Sequence, residues 1–318
     1  MMKQLLFVSS SLFSLICLCA SMAACEDSVI AHDEDTYSSS SKESGVAHSE
    51  DDDSLKTSSG VESSSGTQEV NSSSGEEIVI PKGWSWDVPK EFRLNQNIEY
   101  DSIKDSRDGK IYKTIKIGNL IWMAENLNYY DEKNMSLKDK SWCYNTDVEE
   151  DISCKVVGRH YTWAAAIDSV KLATDATNPM ECGYGKECGL SGKVRGICPP
   201  GWYLPSDDEW NDLITFVGNN STTGKELKTQ SGWWTKGGTN GIDTYGFSAL
   251  PAGYVSDEGY SDAVGGRAAF WSSSEKCDNG ASYLAMFYDK DEAFMRTSCG
   301  YAFTKDCGLS VRCVKDVE

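Results

Sequence analysis

Three cysteines near the C-terminus, Cys299, Cys307 and Cys313, lie among Arg296, Lys305 and Arg312. Nearby cations lower a thiol's pKa and favour the nucleophilic thiolate, so thiol chemistry would sit here; disulfide pairing is the competing reading. Carboxylates offer a second chemistry. Asp207/Asp208, Asp257/Glu258 and Asp289/Asp291/Glu292 are the groupings from which a hydrolase pair would be drawn, with solvated turns and a helix start as the plain alternative. Asp289, Asp291 and Glu292 within one turn could also hold calcium, against an ordinary hairpin turn. Histidine offers little: His160 is the only one beyond residue 80, and no GxSxG, HExxH or CxxC occurs, so metal and cofactor sites are not expected. GNNSTTGK (218–225) falls short of a phosphate loop, because its spacing is one residue too long and Glu226 replaces the needed hydroxyl.

Aromatic faces are the third chemistry, since a ring supplies apolar area to a sugar while a few polar groups fix its orientation. Trp233 and Trp234, in the Gly-rich stretch SGWWTKGGTNG, are the expected ligand-contacting rings, followed by Tyr254 and Tyr260. Trp122, Trp163, Trp202, Trp210 and Trp271 are expected in the core.

These side chains must be positioned by the stretch CPPGWYLPSDDEWNDLITFV (198–217). Ser206 is the expected N-cap and Glu209 completes a capping box. Trp210, Leu213, Ile214 and Val217 follow on one helix face. A second helix is expected over WAAAIDSV (163–170) with Thr162 as N-cap. Asp108-Gly109 and Gly118-Asn119 mark hairpin turns around a strand 112–117 and a short strand Leu120–Met123. Further short strands are expected at 247–254, 268–272, 283–288, 293–297 and 309–314, with loops at 174–197 and 218–244. The expected class is α+β: two helices packed on a small, twisted, mostly antiparallel sheet.

Residues 1–25 read as a secretion signal, with Lys3, an apolar run over 5–20 and Ala23-Ala24 before Cys25. A cysteine at the cleavage point is the lipoprotein pattern, making Cys25 the lipidation site; ordinary cleavage or an uncleaved anchor are the other readings. Residues 26–80 hold sixteen Ser, fourteen Asp or Glu and only two Lys. They lack the apolar surface to offset the entropy of ordering, which makes them an acidic, disordered tether. The tether accounts for most of the net charge of −19. No basic cluster exists to receive nucleic acid. Residues 81–104 are expected to form an irregular lead-in packed through Trp84 and Trp86, and 105–318 one domain. Glu26 and Asp27 after Cys25 resemble export signals of surface lipoproteins, which points to the outer face of an outer membrane.

The blocks DGKIYKTIKIGNLIWMAENLNY, WCYN, GRHYTWAAAID, ICPPGWYLPSDDEW, YGFSALPAGY, FWSSSE and SVRCVKD occur in an order that resembles the Fibrobacter succinogenes major paralogous domain, covering essentially 105–316. That resemblance implies an exported or lipid-anchored protein and no particular activity. LPSDDEW and the closing VRC also resemble the formylglycine-generating enzyme and C-type lectin-like superfold, which implies a lectin-like, disulfide-braced domain. Nine cysteines lie beyond residue 80, an odd number. Cys143 with Cys154 and Cys182 with Cys188 would close small loops. The lectin-like resemblance implies Cys198 with Cys313, leaving Cys277 for Cys299 or Cys307. Cys307 departs from the family pattern and is expected free or in a local bridge. The function expected is a cell-surface, lipid-anchored, non-catalytic binding or display protein, with the membrane, polysaccharide or an envelope protein as partners. A structural envelope protein and a thiol enzyme or hydrolase are the alternatives.

Overall fold

The computed structural model describes residues 69–71, 77–144, 150–219, 221–238, 240–299 and 303–317. The chain divides into two units, residues 27–80 and the remainder. In the first, β1 (Glu69–Asn71) pairs antiparallel with β2 (Glu77–Val79). The expectation of no structure before residue 81 therefore needs a local correction: the β-branched Val70, Ile78 and Val79 concentrate what strand propensity this segment has. The Cys25 lipidation site lies outside the described residues.

In the second unit, the lead-in carries a short 3-10 turn (Lys90–Arg93) and delivers the chain to β3 (Asp101–Lys104). β4 (Ile111–Ile117) returns through the Asp108-Gly109 turn, and β5 (Leu120–Met123) through Gly118-Asn119. Gly109 and Gly118 both have positive φ, the conformation glycine adopts without a Cβ penalty. β6 (Ser141–Trp142), α1 (Glu150–Val157) and β7 (His160–Tyr161) follow; α1 was not foreseen.

The helix expected over 163–170 is two helices, α2 (Trp163–Ala166) and α3 (Ser169–Ala173). Thr162 does cap α2, accepting from the Ala165 N–H. The break has a tertiary cause. The Ala166 carbonyl, which would serve the next helical turn, instead accepts from the Ile197 N–H at 3.0 Å, and Asp168 turns left-handed at φ 57°. Gly196 permits this approach, since a Cβ there would stand 2.1 Å from the Ala166 oxygen.

α4 (Asp207–Val217) forms as read, with both halves of the Ser206/Glu209 capping box present and Trp210, Leu213 and Val217 buried. α5 (Thr223–Leu227) occupies part of the expected loop 218–244, its Lys225 N–H held by the Asp291 carbonyl. The rest is β8 (Ala252–Val255), β9 (Ser261–Val264), β10 (Arg267–Glu275), β11 (Ala281–Phe287), β12 (Ala293–Arg296) and β13 (Val314–Asp316). Within the described residues of this unit the pairing is antiparallel throughout the named strands. It gives a four-stranded sheet in the order β13-β5-β4-β3, a three-stranded sheet β10-β11-β12, and the pairs β6-β7 and β8-β9. The α+β class stands, with several small sheets and, among the described residues, five α-helices in place of one sheet and two helices.

The core is aromatic. Trp122, on β5, packs on Trp210 of α4 with ring centroids 4.9 Å apart, and both meet Phe247. Trp163, Trp202 and Trp271 are buried as expected. Four disulfides lie wholly among the described residues of this unit: Cys143–Cys154, Cys182–Cys188, Cys198–Cys313 and Cys277–Cys299. Cys277 thus takes Cys299. Cys198–Cys313 closes the longest loop of these four and joins the approach to α4 to the residue before β13.

Arg312 lies fully buried among these aromatics, its guanidinium over Phe247 and Phe270. It donates to Asn126 Oδ1 (2.7 Å) and to the carbonyls of Met123 (3.0 Å), Phe247 (2.6 Å) and Ser248 (2.8 Å). Arg312→Met keeps the length but strands four acceptors, so chemical denaturation should register a loss of about 3 kcal/mol or more.

Candidate functional site

A cleft of about 560 Å³ opens in the second unit, between the lead-in, the start of β4, the segment after β5, and α1. Each wall follows from local sequence. Pro89 precedes the 3-10 turn and turns the lead-in over β4. Arg93, itself buried, fixes that segment by donating to the carbonyls of Val88 and Ser85 and by stacking on Trp84, 4.4 Å from the ring centroid. Trp86 packs edge-on to Trp84 and brings its own ring to the cleft.

The opposite wall comes from MAENLN (123–128). Past β5 the chain leaves the sheet, and Glu125, Asn126 and Asn128 reach the cleft. Glu125 accepts from the Lys113 N–H and pairs with Lys90 at 2.8 Å. Asn126 is fixed on both sides of its amide: Oδ1 accepts from Arg312, and Nδ2 donates to the Val157 carbonyl (2.8 Å) and Ser310 Oγ (3.2 Å). The Tyr112 hydroxyl accepts from the Asn128 N–H, and burial pushes that phenol above its usual range. Ile111 and Ile152, both exposed, stand at the rim.

Behind the floor lies a second polar layer. Asp243 accepts from the Ser248 N–H (2.7 Å) and Ser248 Oγ (2.6 Å), and Tyr100 meets the same Ser248 hydroxyl at 3.1 Å. Burial pushes the Asp243 carboxyl up to about 6, against the Ser248 hydrogen bonds and the Arg312 charge that favour ionisation. Burial also brings the Arg312 guanidinium down to about 9, leaving it charged at neutral pH.

The rings chosen from sequence lie elsewhere. Trp233 is 0 % exposed, its indole N–H donating to Thr229 Oγ1 and Lys228 lying over its ring, so it is a core residue and the expectation of an exposed pair is corrected. Two adjacent residues in irregular chain point in different directions, and here only Trp234 faces outward. It is 43 % exposed, seated on Gly265 and Gly266 with its ring against Tyr288. Tyr254 is 5 % exposed and packs on Phe303, because β8 is buried along its whole length; it too is corrected to core. Tyr260 is 69 % exposed, in the β8–β9 turn. None of these four lines the cleft.

Asp289, Asp291 and Glu292 sit between β11 and β12, and among the described residues no group of three His, Cys, Asp or Glu is arranged to hold a metal ion. His160 is fully buried, with neither ring nitrogen hydrogen-bonded among the described residues. Burial pushes it down to about 4, and the nearby Ala252 and Gly253 backbone opposes that only in part. Every described cysteine is disulfide-bonded, so of the two readings of Cys307, free or in a local bridge, the free thiol is overturned; its Sγ is buried, 3.2 Å from Thr304 Oγ1. Lys305, counted above as a cation for a thiol, is instead buried on Glu275 at 2.6 Å.

The cleft residues were missed because no one of them belongs to a catalytic or ligand-binding motif, though several fall within the family blocks. Their one signal in sequence is polar residues directly after an apolar strand, and an Arg between Val311 and Cys313. Asp243 also offers a pH signature. Its carboxyl ionises near 3.8 when unfolded and near 6 when folded, so between those values the folded state holds the extra proton. The contribution of this group to stability is full below the lower value and falls as pH rises through the upper one. Unfolding free energies should show wild type losing stability relative to Asp243→Asn, by at most about 1.4 kcal/mol per pH unit across that window. A difference that stays flat with pH would remove Asp243 as the titrating group.

A family model described as the Fibrobacter succinogenes major domain matches residues 115–315. No curated protein and no solved structure matches the chain.

Proposed function

The chain belongs to the Fibrobacter succinogenes major domain family, whose name specifies no activity, and from that premise we propose that it is a non-catalytic binding protein displayed on the cell surface. The observation that carries this reading is the cleft: apolar and aromatic surface from Trp86 and Ile111 faces hydrogen-bonding side chains held at fixed positions by buried partners. That combination suits a ligand with both apolar faces and hydroxyls, and a polysaccharide has both. A lectin-like relationship of the fold belongs to the same proposal. In its favour are the antiparallel sheets and the bridge joining Cys198 to the closing Cys313.

The binding reading is tested with the full, oxidised chain on a panel of polysaccharides. Saturable binding is expected, weakened at least about tenfold by Trp86→Ala and by Asn128→Ala, which corresponds to about 1.4 kcal/mol. Asn128→Ala keeps the test open where Trp86→Ala disturbs its packing on Trp84 and Tyr144. Binding that neither variant alters would move the site out of the cleft.

Display rests on the pattern ending Ala23-Ala24-Cys25 and the charged, Ser-rich tether behind it. Several acyl chains on one cysteine anchor firmly, at about 0.8 kcal/mol per buried methylene. Metabolic labelling with a radioactive fatty acid should mark the wild type and leave Cys25→Ala unlabelled and released from the membrane fraction; label retained in Cys25→Ala would sink the lipoprotein reading.

A further inference from the structure

The bridge Cys143–Cys154 has a cation on its sulfurs. Arg159 directs one guanidinium nitrogen at both of them, donating to Cys143 Sγ at 3.3 Å and to Cys154 Sγ at 3.6 Å. Sequence and backbone put it there. Cys154 lies in α1, and Arg159 follows just past Gly158, whose positive φ of 78° turns the chain at the helix end. The Gly158 N–H donates back to the Cys154 carbonyl and the Arg159 N–H to that of Leu127, both at 3.0 Å. A Cβ at position 158 would stand 2.8 Å from Asn126 Cβ, so the turn needs glycine.

The guanidinium has little else to satisfy it. Among the described residues it pairs with no carboxylate, its Nε is buried without a hydrogen-bond partner, and its carbon lies 4.5 Å from the Tyr130 ring centroid. A disulfide sulfur is a weak, neutral acceptor, whereas a thiolate in the same place is a full counter-charge. The cation therefore favours the opened bridge over the closed one, and it opposes the burial of both sulfurs, which disfavours a thiolate. None of the other three bridges lying wholly among the described residues has a cation donating to its sulfurs. Glu275, already paired with Lys305, stands 3.7 Å from Cys188 Sγ. Cys277 Sγ meets the neutral Asn279 amide, and Cys198–Cys313 is sealed in the core.

Access comes from the cleft, which Cys154 borders and Cys143 does not. We propose that Cys143–Cys154 is an exchangeable bridge, opened stoichiometrically by a dithiol that enters through the cleft. The dithiol's thiolate attacks Cys154 Sγ, the S–S bond breaks, and its electron pair leaves on Cys143, the sulfur nearer Arg159. The second thiol of the reagent then displaces Cys154 and closes the reagent's own disulfide. Two electrons have passed to the bridge. Cys143 remains a thiolate against the guanidinium, Cys154 takes one of the dithiol's two protons, and the other goes to water. The cleft serves here only as the way in, so the inference holds whatever ligand the cleft takes.

The test equilibrates the full, oxidised chain with graded dithiothreitol, blocks free thiols with iodoacetamide, and assigns each bridge by peptide mass spectrometry. Arg159→Gln should lower the equilibrium constant for opening Cys143–Cys154 by at least about tenfold and leave the other three bridges unchanged. Arg159→Lys, which keeps the charge, should keep most of the effect. A merely structural Arg159 acts the other way, since a loosened wall makes its bridge easier to open. An unchanged or raised constant in Arg159→Gln, or a drop shared equally by all four bridges, would overturn the proposal. The site of attack needs no variant. Brief exposure to glutathione, a monothiol, followed by acid quenching should leave its adduct on Cys154. An adduct on Cys143 would overturn the assignment of the leaving thiolate, and no adduct on either would overturn entry through the cleft.

Discussion

The folded domain converges on the guanidinium of Arg312. A charge that cannot be shed at neutral pH is tolerable in a core only when its donors are met, and a planar fork with fixed angles demands that the acceptors come to it. Here they come from two distant parts of the chain, 123–126 and 247–248, and the residue itself leads into β13. Directional bonds therefore hold in register what apolar packing alone would leave free to slide. The rings of Phe247 and Phe270 cover the group, and Trp122 and Trp210 close around Phe247. Cys198–Cys313 fastens the neighbouring residue covalently.

The cleft is a consequence of the same arrangement. Asn126 answers Arg312 with its oxygen and therefore presents its nitrogen to Val157 and Ser310, which sets the end of α1 against the segment after β5. Ser248 gives its carbonyl to Arg312 and its N–H and hydroxyl to Asp243, while its hydroxyl also meets Tyr100, so the lead-in is tied to the floor. Asn95 adds a bond to the Asp243 carbonyl at 2.9 Å. A stretch without regular strands or α-helix thus becomes a fixed wall, because its polar groups find partners in the core.

The electrostatics follow from burial more than from charge count. The acidic residues of the chain are mostly where water screens them, in the Ser-rich segment and in exposed turns. Where charges are withdrawn from water the balance differs. Asp243 is pushed toward its neutral form while Arg312 keeps its charge.

Sequence determined what depends on neighbours within a few residues. The Ser206/Glu209 box, the Asp108-Gly109 and Gly118-Asn119 turns, the strand Leu120–Met123 and the short bridges Cys143–Cys154 and Cys182–Cys188 are local matters of caps, φ angles and loop closure. So is the composition that marks the Ser-rich acidic segment. Tertiary structure decided the rest. It broke the helix at Asp168 because Ile197, thirty residues away, took the Ala166 carbonyl. It buried Trp233 while leaving Trp234 outside, a choice made by Thr229 and Lys228 on one side and Gly265 and Gly266 on the other. It also assembled the cleft from residues spread between Trp86 and Arg312, none of which carries a catalytic or ligand-binding motif. Their meaning lies in which distant acceptor each one reaches, and only the closed chain supplies that distance.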